Sequence, residues 1–279
     1  MFLAQFKNEL IKLFGKKRTY IGFGVFILAQ VAMLFAFKRG GHFTRAYEHV
    51  LEVNGYSVSQ FISALTVSLI MLLPQIGMLI PLYVSLVGGD LVAKESEDGT
   101  LRMILSRPIS RFRLLLVKWL AGFFFSVLLV LMLGGIALGI ARIVFPWGGM
   151  FVFFPDQAFS VLSPGEGIAR FIFAQVFLSV NASVMLSIAF MFSCWNMKPA
   201  AATILAVSCL LVSLALQHMP FFDDYQHWFV TYHFEKWLMV FQKPFPWPLI
   251  IQEQIILFTI SATLFAVGFV AFQVRDIKS

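Results

Sequence analysis

Six long apolar runs divide the chain, at residues 20–37, 61–87, 114–141, 168–192, 200–216 and 249–272. A hydrocarbon core of about 30 Å needs about 20 helical residues, so each run predicts a membrane-crossing helix, the shorter ones anchored by flanking aromatics. Residues 1–18 follow a different pattern. Phe2, Leu3, Phe6, Leu10, Leu13 and Phe14 recur at helical spacing, with Lys7, Lys12 and Lys16 on the other face. This predicts an interfacial amphipathic helix lying on an anionic membrane surface. Its charged part is too long for a signal peptide, and no small-residue cleavage site follows the apolar run. The pattern leaves two roles open, a plain anchor or a mechanical elbow joined to the first span.

A charged island, residues 88–118, separates the second run from the third: GGDLVAKESEDGTLRMILSRPISRFRLLLVK. Glu95, Glu97 and Asp98 precede a Gly99-Thr100 turn. Thr100 is placed to cap a short amphipathic helix over 101–106 by accepting an early backbone N–H. Arg107-Pro108 ends that helix, because the residue before proline is driven out of the α region. Ser110 then caps the next helix, which enters the membrane at about Leu114. Glu95 and Glu97 would point about 200° apart on a helix and could not share a partner. In an extended approach to the turn they would face one side and engage a basic cluster together.

The order E-x-E-x-G-T-L, then R-P-I-S-R, then a lysine heading an apolar helix resembles the cytoplasmic loop of the ABC type-2 exporter permeases. The matching residues are Glu95, Glu97, Gly99, Thr100, Leu101, Arg107, Pro108, Ser110, Arg111 and Lys118. The close match is confined to the island, while the six-span layout fits the whole chain. In that family the loop carries a coupling helix that docks on a separate ATP-binding subunit.

The resemblance therefore implies an all-α polytopic membrane protein, one permease domain over 1–279, with a coupling loop at 88–113. It implies two copies around one pathway, in the cell membrane of a bacterium or archaeon. ATP and magnesium would be held by the ATP-binding subunit, with no cofactor bound by this chain. Leu101, Met103, Ile104 and Leu105 would supply the apolar face that enters the partner. Glu95 and Glu97 would brace the loop through salt bridges to Arg111 or Arg113.

Composition agrees with a membrane class. Hydrophobic residues make up 59% of the chain and charged residues 13%, where a soluble domain has about a quarter charged. Of 21 Lys and Arg, 14 fall in segments on the N-terminal side of the membrane and 7 on the other. The positive-inside rule then places both termini and the 88–113 loop in the cytoplasm. The net charge of +7 follows from this topology and needs no nucleic acid to explain it. Cys194 and Cys209 suit neither a disulfide nor a metal.

Pro74 and Pro81, seven apart in the second run, each remove a backbone donor and bend the helix. They form either a hinge or a static kink. Gln175, Ser179, Ser183 and Ser187 make a polar stripe in the fourth run, facing the bundle for close packing or lining a path. Gly135 and Gly139 form a small-residue packing pair in the third.

The 217–248 segment is crowded with aromatics, from Phe221 to Trp247, and reads as an extracytoplasmic interfacial cap. His218, His227 and His233 occur there with Asp223 and Asp224, without the i, i+4 pair of a helical metal site, so no metal is assigned. No G-x-x-x-x-G-K-[ST] occurs to cradle ATP phosphates. No ionisable group lies near the centre of a run, which argues against a proton- or ion-coupled carrier, and no catalytic constellation is present. Two other readings stand beside the exporter: a mechanotransmitter acting on an extracytoplasmic partner, and an ATP-independent carrier.

Overall fold

Each apolar run forms a helix long enough to cross a bilayer. The computed structural model describes residues 2–39, 42–106, 109–154 and 158–275. The amphipathic N-terminal stretch is α1 (Phe2–Gly15) and the first span is α2 (Lys17–Lys38). A second amphipathic helix, α3 (His42–Val53), and a short α4 (Val58–Phe61) follow. The second span is continuous over Ala64–Glu97: α5 (Ala64–Pro74), a π turn (Gln75–Leu79) and α6 (Ile80–Glu97). After the six-residue α7 (Thr100–Leu105), the third span is α8 (Arg111–Val144).

A β-hairpin then intervenes, β1 (Met150–Phe154) pairing antiparallel with β2 (Ala158–Leu162), Met150 opposite Leu162. The fourth span is α9 (Pro164–Cys194) and the fifth α10 (Pro199–Gln217). A 3-10 turn (Pro220–Trp228), α11 (Val230–Glu235) and a second 3-10 turn (Lys236–Phe241) lead into the sixth, α12 (Trp247–Val274). The protein is thus an all-α multi-pass membrane protein, with one small hairpin among the described residues on which the hydrophobic pattern is silent.

Local chemistry sets the helix ends. Ser110 Oγ accepts Arg113 N–H at 3.3 Å and Ser163 Oγ accepts Glu166 N–H at 3.4 Å, each satisfying an otherwise orphaned donor. Pro164 and Pro199 occupy the first helical turn, where a missing N–H costs nothing.

The second and fourth spans form the core, with 61% and 72% of their apolar windows buried, against 17% for the fifth. Glycines let them touch. A Cβ on Gly88 would sit 2.6 Å from the Leu186 carbonyl oxygen, so the second and fourth spans meet backbone to backbone there. The expected pair Gly135 and Gly139 does no such work: nothing lies within 4 Å of a Cβ built at either, and it is Gly134 that packs against Gln175.

The spans overrun the membrane. At 1.5 Å per residue, the 34-residue second and third spans are each about 51 Å long, well past a core of about 30 Å. The second span ends at Glu97, ten residues beyond the apolar run, because Lys94 pairs with Glu97 at 3.0 Å and Asp98 at 3.1 Å across one turn. Glu95 and Glu97 therefore stand on a helix, not on an extended approach.

Candidate functional site

The charged island becomes a compact polar knot at the end of the bundle that carries α1 and α7. Four side chains form a closed ring of alternating charge. Lys12 Nζ lies 2.9 Å from Glu9 Oε1 and 3.0 Å from Glu95 Oε1; Lys118 Nζ lies 3.0 Å from Glu9 Oε2 and 2.7 Å from Glu95 Oε1. The ring ties α1, α6 and α8 together. Lys118 is 1% exposed, so its charge depends on the two carboxylates for solvation. Burial would push Glu9 up, but the charges of Lys118 and Lys12 outweigh it and hold the carboxyl below its usual value.

One turn earlier, Asp90 is buried and paired with Arg18, with Lys16 Nζ at 3.5 Å. Burial, then repulsion from Arg18 and Lys118, lowers Lys16 to about 8. The start of the first span is thereby clamped to the second.

The loop itself is stapled at both sides. Gly99 turns the chain with φ +72°, a left-handed conformation that favours glycine, between α6 and α7. Thr100 does not cap α7. Its Oγ1 donates to the Glu95 carbonyl at 3.2 Å, satisfying an orphan at the end of α6, and Gly99 holds the cap position.

The expected docking face also turns out differently. Leu101 is 1% exposed and packs in the core, and Ile104 and Leu105 are half-buried against it. Met103, 66% exposed, and the exposed Arg102 form the outward face. A cavity of about 360 Å³ opens between α1, α7 and the head of α8, lined by Gln5, Asn8, Met103, Ile104, Ile109 and Leu114 among others. Arg107 and Pro108 lie outside the described residues.

The expected partners of the acidic pair are likewise corrected. Glu95 meets Lys12 and Lys118, and Glu97 meets Lys94, rather than Arg111 or Arg113. Arg111 instead donates to the carbonyls of Phe272, Gln273 and Arg275 at 3.1, 3.0 and 3.4 Å, capping the sixth span. Arg275 in turn donates to Ser96 Oγ and to Asn196 Oδ1 at 2.8 Å. The loop is thus joined to α1 through Glu95 and to α12 through Ser96 and Arg111.

Pro74 and Pro81 bracket the π turn. Ile80 N–H reaches back five residues to the Gln75 carbonyl, the widened register of a π turn. The turn points Gln75 inward: Gln30 Nε2 donates to Gln75 Oε1 at 3.4 Å and to the Leu133 carbonyl at 3.0 Å, joining three spans by buried amides. The stripe of the fourth span faces inward, and its serines donate to their own helix, Ser179 to the Gln175 carbonyl and Ser187 to that of Ser183.

Glu9, Lys12 and Asp90 were not singled out for this knot. The signals were slight but present: Glu9 is the one carboxylate in residues 1–18, and Asp90 sits alone at the end of an apolar run. A family model described as "ABC-2 family transporter protein" matches residues 4–225, a range that includes the whole knot except its contacts with α12. No curated protein is similar enough to the chain to count as a match.

Proposed function

Because the chain belongs to the ABC-2 transporter family, as the membrane subunit of an ABC transporter, we propose that it is the permease of an ATP-driven exporter. It works as two copies with two ATP-binding subunits, which hold ATP and magnesium. The observation that carries this reading is the six-residue α7, held by Gly99 and Thr100 at the tip of the second span and backed by the buried Glu9–Lys12–Glu95–Lys118 ring. A rigid lever needs such backing. ATP-driven closure of the partner presses on Arg102 and Met103, and the ring passes the displacement to α1, α6 and α8 as one body.

Above the lever, the Pro74–Pro81 π turn is where the second span yields, since its backbone hydrogen bonds are already interrupted. The knot is assigned to the cytoplasm with both termini, a reading that the excess of Lys and Arg supports, and α1 rests its exposed Leu3 and Ile11 in the lipid interface. The hairpin and the 217–248 segment face outside.

The deciding experiment reconstitutes the chain with its ATP-binding partner in liposomes. ATP-dependent movement of cargo, abolished by a non-hydrolysable ATP analogue, is expected. ATP hydrolysis that responds to an extracytoplasmic protein, with no cargo moved, would replace export by mechanotransmission.

A further inference from the structure

The cavity between α1, α7 and the head of α8 joins an apolar floor to a polar wall. Its volume, about 360 Å³, falls within the range of about 300–1,000 Å³ of sites that hold small organic molecules. Leu114 and Val117 of the floor are buried, and Ile104 and Ile109 are half-buried. Gln5, Asn8, Glu9 and Lys12 recur at the three- and four-residue spacing of one helix face, so α1 turns its hydrogen-bonding side to the cavity. Met103 stands exposed at the rim.

Two features of the wall decide what fits against it. Its charges are already balanced. Lys12 is shared by Glu9 and Glu95, and Glu9 by Lys12 and Lys118. An added cation would meet Lys12, and an added anion Glu9, with no free counter-charge for either. The carboxamide oxygen of Gln5, by contrast, is buried and has no hydrogen-bond partner. A buried acceptor is costly until a donor reaches it.

We infer that this cavity is a binding site for a small uncharged amphiphile. Its apolar body lies over Ile104, Ile109, Leu114 and Val117, and its polar end donates an N–H or O–H to Gln5 Oε1.

The site opens away from the lipid face of α1. At about 100° per residue, the exposed Leu3 and Ile11 lie about 150° around the helix from the cavity wall. With those two residues seated in the lipid interface, as proposed above, the amphiphile enters from the water side. Among the described residues no hydrogen bond or ion pair joins α7 directly to α1: Thr100 reaches the Glu95 carbonyl, and Glu95 reaches Lys12. A molecule in the cavity touches both helices at once and fastens α7 to α1 without passing through that carboxylate. Its binding needs neither nucleotide nor the ATP-binding subunit, so the site stands or falls on the chain alone.

Photolabelling of the full chain in lipid nanodiscs with octan-1-ol carrying a diazirine on its chain, read by mass spectrometry, tests the site. Label is expected on 100–106 and on α1. Excess octan-1-ol should reduce it there about tenfold or more, while label on exposed first-span residues such as Leu28 persists. Octanoate and octylammonium, of the same chain length, should compete at least about tenfold more weakly. Ile104→Trp fills the floor and should remove the label. Met103→Trp closes the rim from an exposed position, so it gives the same reading without disturbing the core. Gln5→Leu removes the acceptor and should weaken competition by octan-1-ol several-fold. Label that excess octan-1-ol does not displace would mean partition into lipid only and would overturn the proposal. So would label that survives in folded Met103→Trp, unchanged competition in Gln5→Leu, or equal competition by either charged analogue.

Discussion

Lys118 Nζ and Glu95 Oε1 stand 2.7 Å apart, joining the head of the third span to the foot of the second across the loop between them. The same Glu95 oxygen is 3.0 Å from Lys12, so a helix that precedes all six spans enters the contact as well. One carboxylate thus joins three helices at the base of the loop.

The pair should therefore be strongly coupled. Lys118→Met leaves Glu9 and Glu95 short of a partner in a buried setting and should cost about 3 kcal/mol in unfolding stability. A double-mutant cycle with Glu95→Gln should return a coupling energy of about 1 kcal/mol or more. Additive losses would mean the two charges are solvated separately. In the reconstituted complex, Glu95→Gln should raise the ATP hydrolysed per cargo moved; an unchanged ratio would leave the ring a purely structural brace.

The docking face is predicted to be Arg102 and Met103. Met103→Asp places a charge on an exposed apolar tip and should weaken binding of the ATP-binding subunit tenfold or more, about 1.4 kcal/mol, with the thermal midpoint of the chain unchanged. Leu101→Asp buries a charge instead and should cost about 3 kcal/mol or more of stability. Co-purification and thermal unfolding measured side by side separate the two, and loss of binding without loss of stability in the Leu101 variant would reverse the assignment.

The π turn should matter for movement more than for folding. Pro74→Ala with Pro81→Ala restores two backbone donors, so the thermal midpoint should hold or rise by a few degrees while transport falls several-fold. Undiminished transport in the double variant would make the bend architectural.

Lys16 offers a titration. Its acylation by an amine-reactive reagent, followed by mass spectrometry, should reach half its plateau rate at about pH 8. The sign follows from the depressed value. Between about 8 and the ordinary 10.5, the unfolded chain holds the proton that the folded chain has lost, so this residue's contribution to stability rises with pH across that window. Replacing Arg18 by Gln removes a repelling charge and should move the half-point upward.

The six spans, the amphipathic α1 and the Ser110 cap could be read from the sequence because each depends on residues within a few turns of one another: apolar length, helical period, one hydroxyl before one helix. The Gly99 turn could be read for the same reason. The partners of Glu95 could not, since Lys12 is 83 residues away and the nearer arginines, Arg111 and Arg113, are the obvious local candidates. Nor could the inward turn of Leu101, because four apolar residues in a six-residue helix name a face without saying which body covers it. The hairpin was hidden by its composition: Met-Phe-Val-Phe-Phe lacks the polar alternation of a half-exposed strand and reads as more apolar chain. For the partners of Glu95 and the turn of Leu101 the deciding quantity was the distance between charges or surfaces far apart in sequence, which exists only once the spans have packed.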